Sequence, residues 1–443
     1  MMRRIYDYSP LSLQNIFVAI EGQRIQWSRY GKDFEKIYRE YQERVFWTRE
    51  RTEKYRDERL SAFVASVFQC PRQEALERFS QIGLMNKTGA RRYFQEDLAG
   101  KYGPIIKFST SGTTGAGLTF YSTLRAHQEQ WALWWRYRDS HGISRQEWCL
   151  YFSAPRIVPL AQSKPPFWRV NRPGRQVLFS VFHLNKATAP HYLAKIKQIG
   201  HRWIHGLPEF IASLASYANE LGIRLPMKWV TTSAENLSPH QSRIIEQVFG
   251  VKPIQHYGMK EGVANISECP NGKLHVDEDY SLVEFIKTDL EDNSYRIVGT
   301  NFTNPVFPFL RYDTGDLATL VPGETCDCGR PGRVVNSIDG RTEDYVVTAS
   351  GKLLGQVDLI FTYCVNIYSA QIVQDRPGFL TFKIVRAENY GPKDEEYLRE
   401  QIRLFLGKRE EMDYEIQYVD EIPKTPAGKH RLVVSSLKTN VTA

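Results

Sequence analysis

AKIKQIGHRWIHG, residues 194–206, is the stretch that decides the fold. It reads as helix passing into strand, and the pattern then repeats. PEFIASLASYANEL (208–221) has the helical period, WVTT (229–232) is a strand, PHQSRIIEQVF (239–249) is a helix, and PIQHY (253–257) is a strand again. Strands separated by helices of about 10–15 residues indicate a largely parallel α/β core. Upstream, Ile105–Phe108, Leu118–Tyr121 and Cys149–Phe152 are strand-like, with a Trp- and Arg-rich helix near 125–139. Residues 36–68 read as one or two helices, and residues 1–35 show weak periodicity. Residues 155–190 hold six prolines and are expected to be irregular loop. Past residue 272 the chain turns β-rich (LHVDEDYSLVEFI, YRIVGTNF), and residues 345–434 read as strands, one amphipathic helix, then strand, turn, strand. The expected fold is therefore α/β. A large multi-layered N-terminal domain carries mostly parallel sheets and a β-rich lobe, and a small α+β C-terminal domain follows. The expected partition is a helical region over 1–100, a core over 101–340 and a C-terminal domain over 341–443.

Composition narrows the class. The 443 residues are 42% hydrophobic and 24% charged, which are globular proportions. No apolar run approaches the ~18 residues of a spanning helix, and the start lacks the apolar stretch of a signal peptide. The formal charge is +8, yet residues 341–443 carry 14 basic and 15 acidic side chains, so the excess lies in residues 1–340. Without a basic tail interleaved with aromatics, no nucleic-acid partner is expected. Six cysteines are too few for a disulfide scaffold and suit a cytoplasmic setting.

Four segments carry chemistry. Ser109-Thr110-Ser111-Gly112-Thr113-Thr114-Gly115 lies between two strands, where glycines and hydroxyls can wrap a polyphosphate. It is not a Walker A loop, because no Gly-Lys-Ser/Thr ends it. Gln255-His256-Tyr257-Gly258-Met259-Lys260-Glu261 sits at the carboxyl end of an expected strand, where open α/β sheets bind ligands. An aromatic there can stack on a purine, and a carboxylate can hold Mg²⁺. Arg311-Tyr312-Asp313-Thr314-Gly315-Asp316 offers carboxylates for ribose hydroxyls. Thr425-Pro426-Ala427-Gly428-Lys429-His430-Arg431 is a turn that projects Lys429, which can neutralise charge on an acyl phosphate.

In this order the segments resemble the adenylate-forming family, and within it the phenylacetate–coenzyme A ligase branch with its capsule-biosynthesis-associated members. The resemblance covers roughly residues 80–440. It implies that Ser111, Gly112, Thr113, Thr114 and Gly115 hold the phosphates of ATP. Ala234 and Glu235, in Thr232-Ser233-Ala234-Glu235, would touch the adenine, with His256, Tyr257 and Gly258 beside it. Glu261 would bind Mg²⁺, Asp316 and Arg341 the ribose, and Lys429 would bridge the substrate carboxylate and the α-phosphate. The C-terminal domain would be a mobile lid pivoting near Glu343 or Asp344. Lys260 stands where the family has a small hydroxyl residue, and either supports or obstructs the reaction. The implied activity is ATP-dependent conversion of a carboxylic acid, aromatic or of medium hydrophobic size, to an acyl-adenylate. The acyl group then passes to coenzyme A. Transfer to an amine, or a non-catalytic nucleotide-binding role, are the alternatives, and a homodimer stays open. Trp168, Phe179, Phe182, Tyr192, Trp203 and Trp229 fall in the segments expected to line the acyl pocket.

Cys269, His275, Cys326 and Cys328 form a further set. Three thiols and one imidazole suit a closed, tetrahedral Zn²⁺ site that holds structure together and does no catalysis.

Overall fold

The computed structural model describes the chain apart from residues 1, 93–101, 110–117, 154–155, 289–292, 342–344, 352, 355–356, 362–363, 365, 408–411, 424–430 and 438–443. Among the described residues the fold is α/β, with mixed sheets in the larger part and a smaller α+β portion after residue 345. Two compact units are assembled from segments far apart in sequence. One comprises Met1–Ala19, Trp148–Ile254 and Gly340–Ala443, the other Ile20–Glu147 and Gln255–Asp339.

The first unit contains the helix–strand alternation. Its strands run in the order Trp229–Ser233, Trp203–Gly206, Cys149–Ser153, Gln176–Ser180, Trp168–Asn171. The first four are parallel and the last antiparallel. Helices Ala189–Ile199, Pro208–Glu220 and Pro239–Phe249 supply the crossovers. The last starts with a capping box, Ser238 with Gln241, and stops at Gly250 in the left-handed region (φ +73°). The core holds Leu150, Phe152, Ile204, Ile211, Val230 and Ile245. Gly206 lets two strands approach closely, since a Cβ there would stand 1.9 Å from the Phe152 carbonyl oxygen.

The stretch 155–190 is not the irregular loop its prolines suggest. It contains the strands Trp168–Asn171 and Gln176–Ser180, joined by a turn holding Pro173. The other prolines flank the ladder, so none removes a needed N–H donor, and Val177 and Phe179 alternate into the core. Phe179 and Tyr192 are fully packed in that core, and Trp203 and Trp229 are buried. Four of the six aromatic residues expected to line a pocket are thus part of the interior, while Trp168 and Phe182 are only partly buried against it.

Residues from Val346 onward, in the same unit, have their own core of Ile372, Leu380, Phe382, Ile384, Leu398, Ile402 and Val433. Four strands order as Asp413–Tyr418, Phe379–Arg386, Ile367–Gln374, Val433–Ser435, with the helix Pro392–Gly407 contributing Leu398 and Ile402.

The second unit joins helices to antiparallel sheets. Residues 36–68 form two helices, Phe34–Arg44 and Arg49–Phe68, the second capped by Thr48, whose hydroxyl accepts from Arg51 N. The helix Leu124–Ser140 is capped likewise by Thr123. Ile105–Ser109 pairs antiparallel with Thr119–Thr123, and Ser281–Lys287, Ser294–Asn301 and Tyr312–Thr319 form a second antiparallel set. Asn265–Glu268 pairs with Ile254–Gly258 and Leu274–Val276, and Leu274–Val276 with Val334–Val335.

Candidate functional site

Within the second unit, the strand ending at Gly258 and the turn entering Tyr312–Thr319 bring two of the motif segments together. The Tyr257 hydroxyl donates to Asp316 Oδ2 at 2.7 Å. Asp316 is held in turn: its N–H bonds Thr314 Oγ1 at 3.0 Å, and Thr314 donates to the Ile297 carbonyl at 2.8 Å. Gly315, at φ +74°, makes that turn possible, and its N–H bonds Asp313 Oδ1. The other charges are absorbed locally, Asp313 by Arg296 and Arg311 by Glu284.

Three residues after Tyr257, Lys260 Nζ donates to the carbonyl of Ser109 at 2.9 Å. That is the last residue of the strand leading into the hydroxyl-rich loop. Lys260 and Glu261 line a small cleft with Phe108, His127, Asn301 and Asn304. Asn301 Nδ2 donates to the Glu261 carbonyl at 2.7 Å and fixes its backbone. Gly262 (φ +66°) is needed there, because a Cβ would lie 2.6 Å from the Tyr280 hydroxyl. His256 is buried, stacked on Tyr137 at 4.6 Å, with Nε2 against Asn265 Oδ1 at 2.9 Å. Burial, with Arg138 and Arg330 near, pushes it down to about 4, so the imidazole is neutral at pH 7.

In the first unit, Ala234 follows the strand Trp229–Ser233 with φ +68°, a left-handed conformation that is strained for alanine. His205 bonds Thr231 Oγ1 at 2.8 Å and lies 3.5 Å from Ser233 Oγ, so the strand's exit is tied down just before Ala234 and Glu235. Ser111, Gly112, Thr113, Thr114, Gly115 and Lys429 lie outside the described residues. Arg341 is described through its backbone alone, as the last residue of the strand Ser337–Arg341.

Cys269, His275, Cys326 and Cys328 converge, with all four donor atoms within 4.8 Å of one another. Cys269 and Cys326 sulfurs are 3.7 Å apart, and Cys328 Sγ is 3.4 Å from His275 Nε2. A tetrahedron with Zn–S of ~2.3 Å and Zn–N of ~2.0 Å has S···S and S···N edges of ~3.8 and ~3.5 Å, so the donor set fits this ion. His275 Nδ1 lies 3.1 Å from the Gly332 carbonyl, the partner that orients a ligating histidine. Gly332 is itself obligatory, since a Cβ would sit 1.8 Å from the Val276 carbonyl oxygen. Burial and the neighbouring sulfurs push the Cys328 thiol up to about 12 without a cation beside it.

Sequence reading missed what surrounds this cluster. Asp277, Glu278 and Asp279 look like a solvated acidic run but are all buried. Arg136 bonds Asp277 at 2.7 Å and Asp279 at 2.8 Å, and Arg330 bonds Asp277 at 2.6 Å. Glu278 takes Arg56 at 3.0 Å and Arg333 at 2.5 Å. Asn265 Nδ2 donates to Asp277 Oδ2 at 2.6 Å, so one chain of hydrogen bonds runs from Arg330 through Asp277 and Asn265 to His256. The legible signal was an apolar strand on either side of the acidic run.

The architecture is that of an acyl-activating ligase fold. A solved 2-hydroxyisobutyryl-CoA ligase, in its postadenylation state with a bound acyl-AMP, shares it with a TM-score of 0.60 at 16% identity, over 98% of this chain and 92% of that one. The family model described as "CapK C-terminal domain" matches residues 346–436. Protein CapK of Staphylococcus aureus is 23% identical over 453 aligned positions, 99% of this chain and all of that protein. A phenylacetate-coenzyme A ligase of Thermus thermophilus is 32% identical over 161 residues, about a third of each chain (32% of this one, 36% of the relative). The chain is thus similar along its length to Protein CapK and over about a third of it to a phenylacetate–CoA ligase, and it shares the fold of the solved acyl-CoA ligase.

Proposed function

We propose that this chain is an enzyme that activates a small-molecule carboxylic acid with ATP as an acyl-adenylate and passes the acyl group to coenzyme A. The observation that carries this reading is the Tyr257–Asp316 pair, set on the same short strand exit as Lys260 and Glu261. A carboxylate beside an aromatic ring can accept from a ribose hydroxyl, while the tyrosine ring gives a purine a flat neighbour. Ala234 and Glu235, on their strained strand exit, are assigned to the adenine edge, and Arg341 to the ribose.

Chemistry then follows from charge. Attack of the acid's carboxylate oxygen on the α-phosphorus forms the acyl–phosphate bond and expels pyrophosphate. Negative charge grows on the α-phosphate oxygens, and pre-positioned donors stabilise it. Lys429, the loop Ser111–Gly115 and Lys260 are assigned that role, Lys260 by holding the loop's root through Ser109. Glu261 would hold Mg²⁺, which neutralises phosphate charge when bound. In the second step the thiol of coenzyme A attacks the acyl carbon and AMP leaves. Residues 341–443 form the lid that carries Lys429. The four-donor cluster would hold a structural Zn²⁺, which leaves no position for substrate. Among the described residues no helix is long and apolar enough to cross a membrane; a cytoplasmic setting fits the unbridged cysteines.

The test is pyrophosphate release with ATP, Mg²⁺ and a panel of aliphatic and aryl acids, repeated for Lys429→Ala. The expected result is release with at least one acid and a loss of about 10²–10³-fold in the variant. Coenzyme A added to the active acid should give the thioester. Amide from an added amine would replace the acceptor, and undiminished release by Lys429→Ala would refute the mechanism.

A further inference from the structure

The helix Leu11–Arg29 is inverted relative to an ordinary surface helix. Two of its polar side chains, Gln14 and Asn15, face the protein. Gln14 is buried and its Oε1 accepts from Arg169 Nε at 2.9 Å, while Asn15 Oδ1 accepts from the backbone N–H of Val170 at 3.2 Å. Most of its large apolar side chains face water. Leu13, Ile16, Phe17, Ile20 and Trp27 fall at i, i+3, i+4, i+7 and i+14, which places them in one stripe. Ile16 is 52% exposed, Ile20 63% and Trp27 71%, and Tyr8 in the preceding helix is 85% exposed. With ~150–250 Å² for each large side chain, the exposures of the five stripe residues leave on the order of 550 Å² of largely apolar surface in water. A monomer rarely keeps a stripe of that size unless something covers it.

We infer that the stripe is an isologous interface, covered by the same stripe of a second copy of this chain. Two stripes together would bury about 1,100 Å², above the ~1,000 Å² that a specific interface should clear, and Trp and Phe are residues such cores favour. Charge supports the same occupant. Arg24, which shares the stripe, is neutralised by Glu21 of its own helix through contacts at 2.8 and 2.6 Å. Two like stripes therefore meet without repulsion, as a two-fold contact demands. An anionic lipid surface would instead call for unneutralised cations along the rim. Polar anchoring by Gln14 and Asn15 holds the helix in place with its apolar side outward, so no rearrangement precedes docking.

Sedimentation velocity of the full chain between ~1 and ~100 µM tests this, beside the double variant Ile16→Asp/Ile20→Asp. Both side chains are more than half exposed, so the variant should keep its helical circular dichroism. The expected result is a dimer for the unmutated chain and a monomer for the variant throughout, a rise of at least about 100-fold in the dissociation constant. Amide hydrogen exchange across residues 11–29 of the unmutated chain should slow as concentration rises, and this readout stands if the variant fails to fold. Three outcomes overturn the inference: an unmutated chain that is monomeric at the highest concentration, a dimer with exchange in 11–29 independent of concentration, or a monomer that co-sediments with phosphatidylcholine–phosphatidylglycerol vesicles through this helix.

Discussion

Changing Cys326 and Cys328 together to serine removes two of four donors from a cluster whose sulfurs already stand at tetrahedral spacing. The consequence extends beyond the metal. Cys328 Sγ receives the N–H of Arg330 at 3.5 Å, and Arg330 reaches from there to Asp277 at 2.6 Å and to Ser267 Oγ at 2.9 Å. Without the two thiolates the segment that aims this guanidinium loses a principal hold, and a buried carboxylate's partner is loosened. Breaking a buried ion pair costs about 3–5 kcal/mol. Arg136 still holds Asp277 at 2.7 Å, so the low end applies, ~3 kcal/mol. For a unit of 150–250 residues that corresponds to a fall of ~6–12 °C in Tm. The assay is elemental analysis for zinc per chain together with differential scanning fluorimetry. The unmutated protein should carry one zinc per chain and the double variant less than ~0.1. Arg330→Met should keep the zinc yet reproduce most of the fall in Tm. Unchanged zinc in the double variant would refute the ligand set. Zinc loss with Tm held within ~2 °C would refute the coupling through Arg330.

Three other outcomes follow from the same geometry. Tyr257→Phe deletes the donor on Asp316, a hydrogen bond to a charged group of ~1.5 kcal/mol, so KM for ATP should rise about tenfold with kcat nearly unchanged in a pyrophosphate-release assay. The guanidinia of Arg330 and Arg136 overcome the burial of Asp277 and depress its carboxyl below the ordinary value. Its stabilising contribution is therefore complete above about pH 4 and is lost as pH falls through the folded value. Arg136→Met raises that folded value, so acid unfolding followed by tryptophan fluorescence should begin at higher pH in the variant. Gly206→Ala forces a methyl to 1.9 Å from the Phe152 carbonyl oxygen, and the thermal scan should show a loss of at least ~3 kcal/mol or no soluble protein.

Much of this was legible in the residues, for definite reasons. Three of the four parallel strands, Cys149–Ser153, Trp203–Gly206 and Trp229–Ser233, and the helices among them announced themselves because burial on both sheet faces makes apolar runs, while helices keep their period. The Tyr257–Asp316 meeting was not legible as a contact, since 59 positions separate the two, but each residue stood in a short motif with recognisable chemistry. The metal donors were readable because cysteine and histidine have few other reasons to cluster. Two readings failed where tertiary context overrode local signal. Prolines in 155–190 masked two strands because they lie in flanks and a turn, and the aromatic residues of 179–229 went to the core because size alone does not separate a pocket from an interior. The inverted helix was hidden for a related cause. Val18 and Ile25 on its inner side blur the periodicity of the outer stripe, so residues 1–35 looked featureless.

The patchwork origin of the first unit bears on how the polypeptide is made. Tyr6 bonds the carbonyl of Ile157, and Gln14 bonds Arg169, so the opening helices find partners only after well over a hundred further residues have left the ribosome. Later, Ile367–Gln374 must wait for Val433–Ser435 to flank it in parallel. Until then a nascent chain presents an open strand edge and uncovered aliphatic side chains, the features that invite aggregation. Chaperone demand during translation, more than the stability of the finished molecule, is therefore where this topology should set the yield of folded protein.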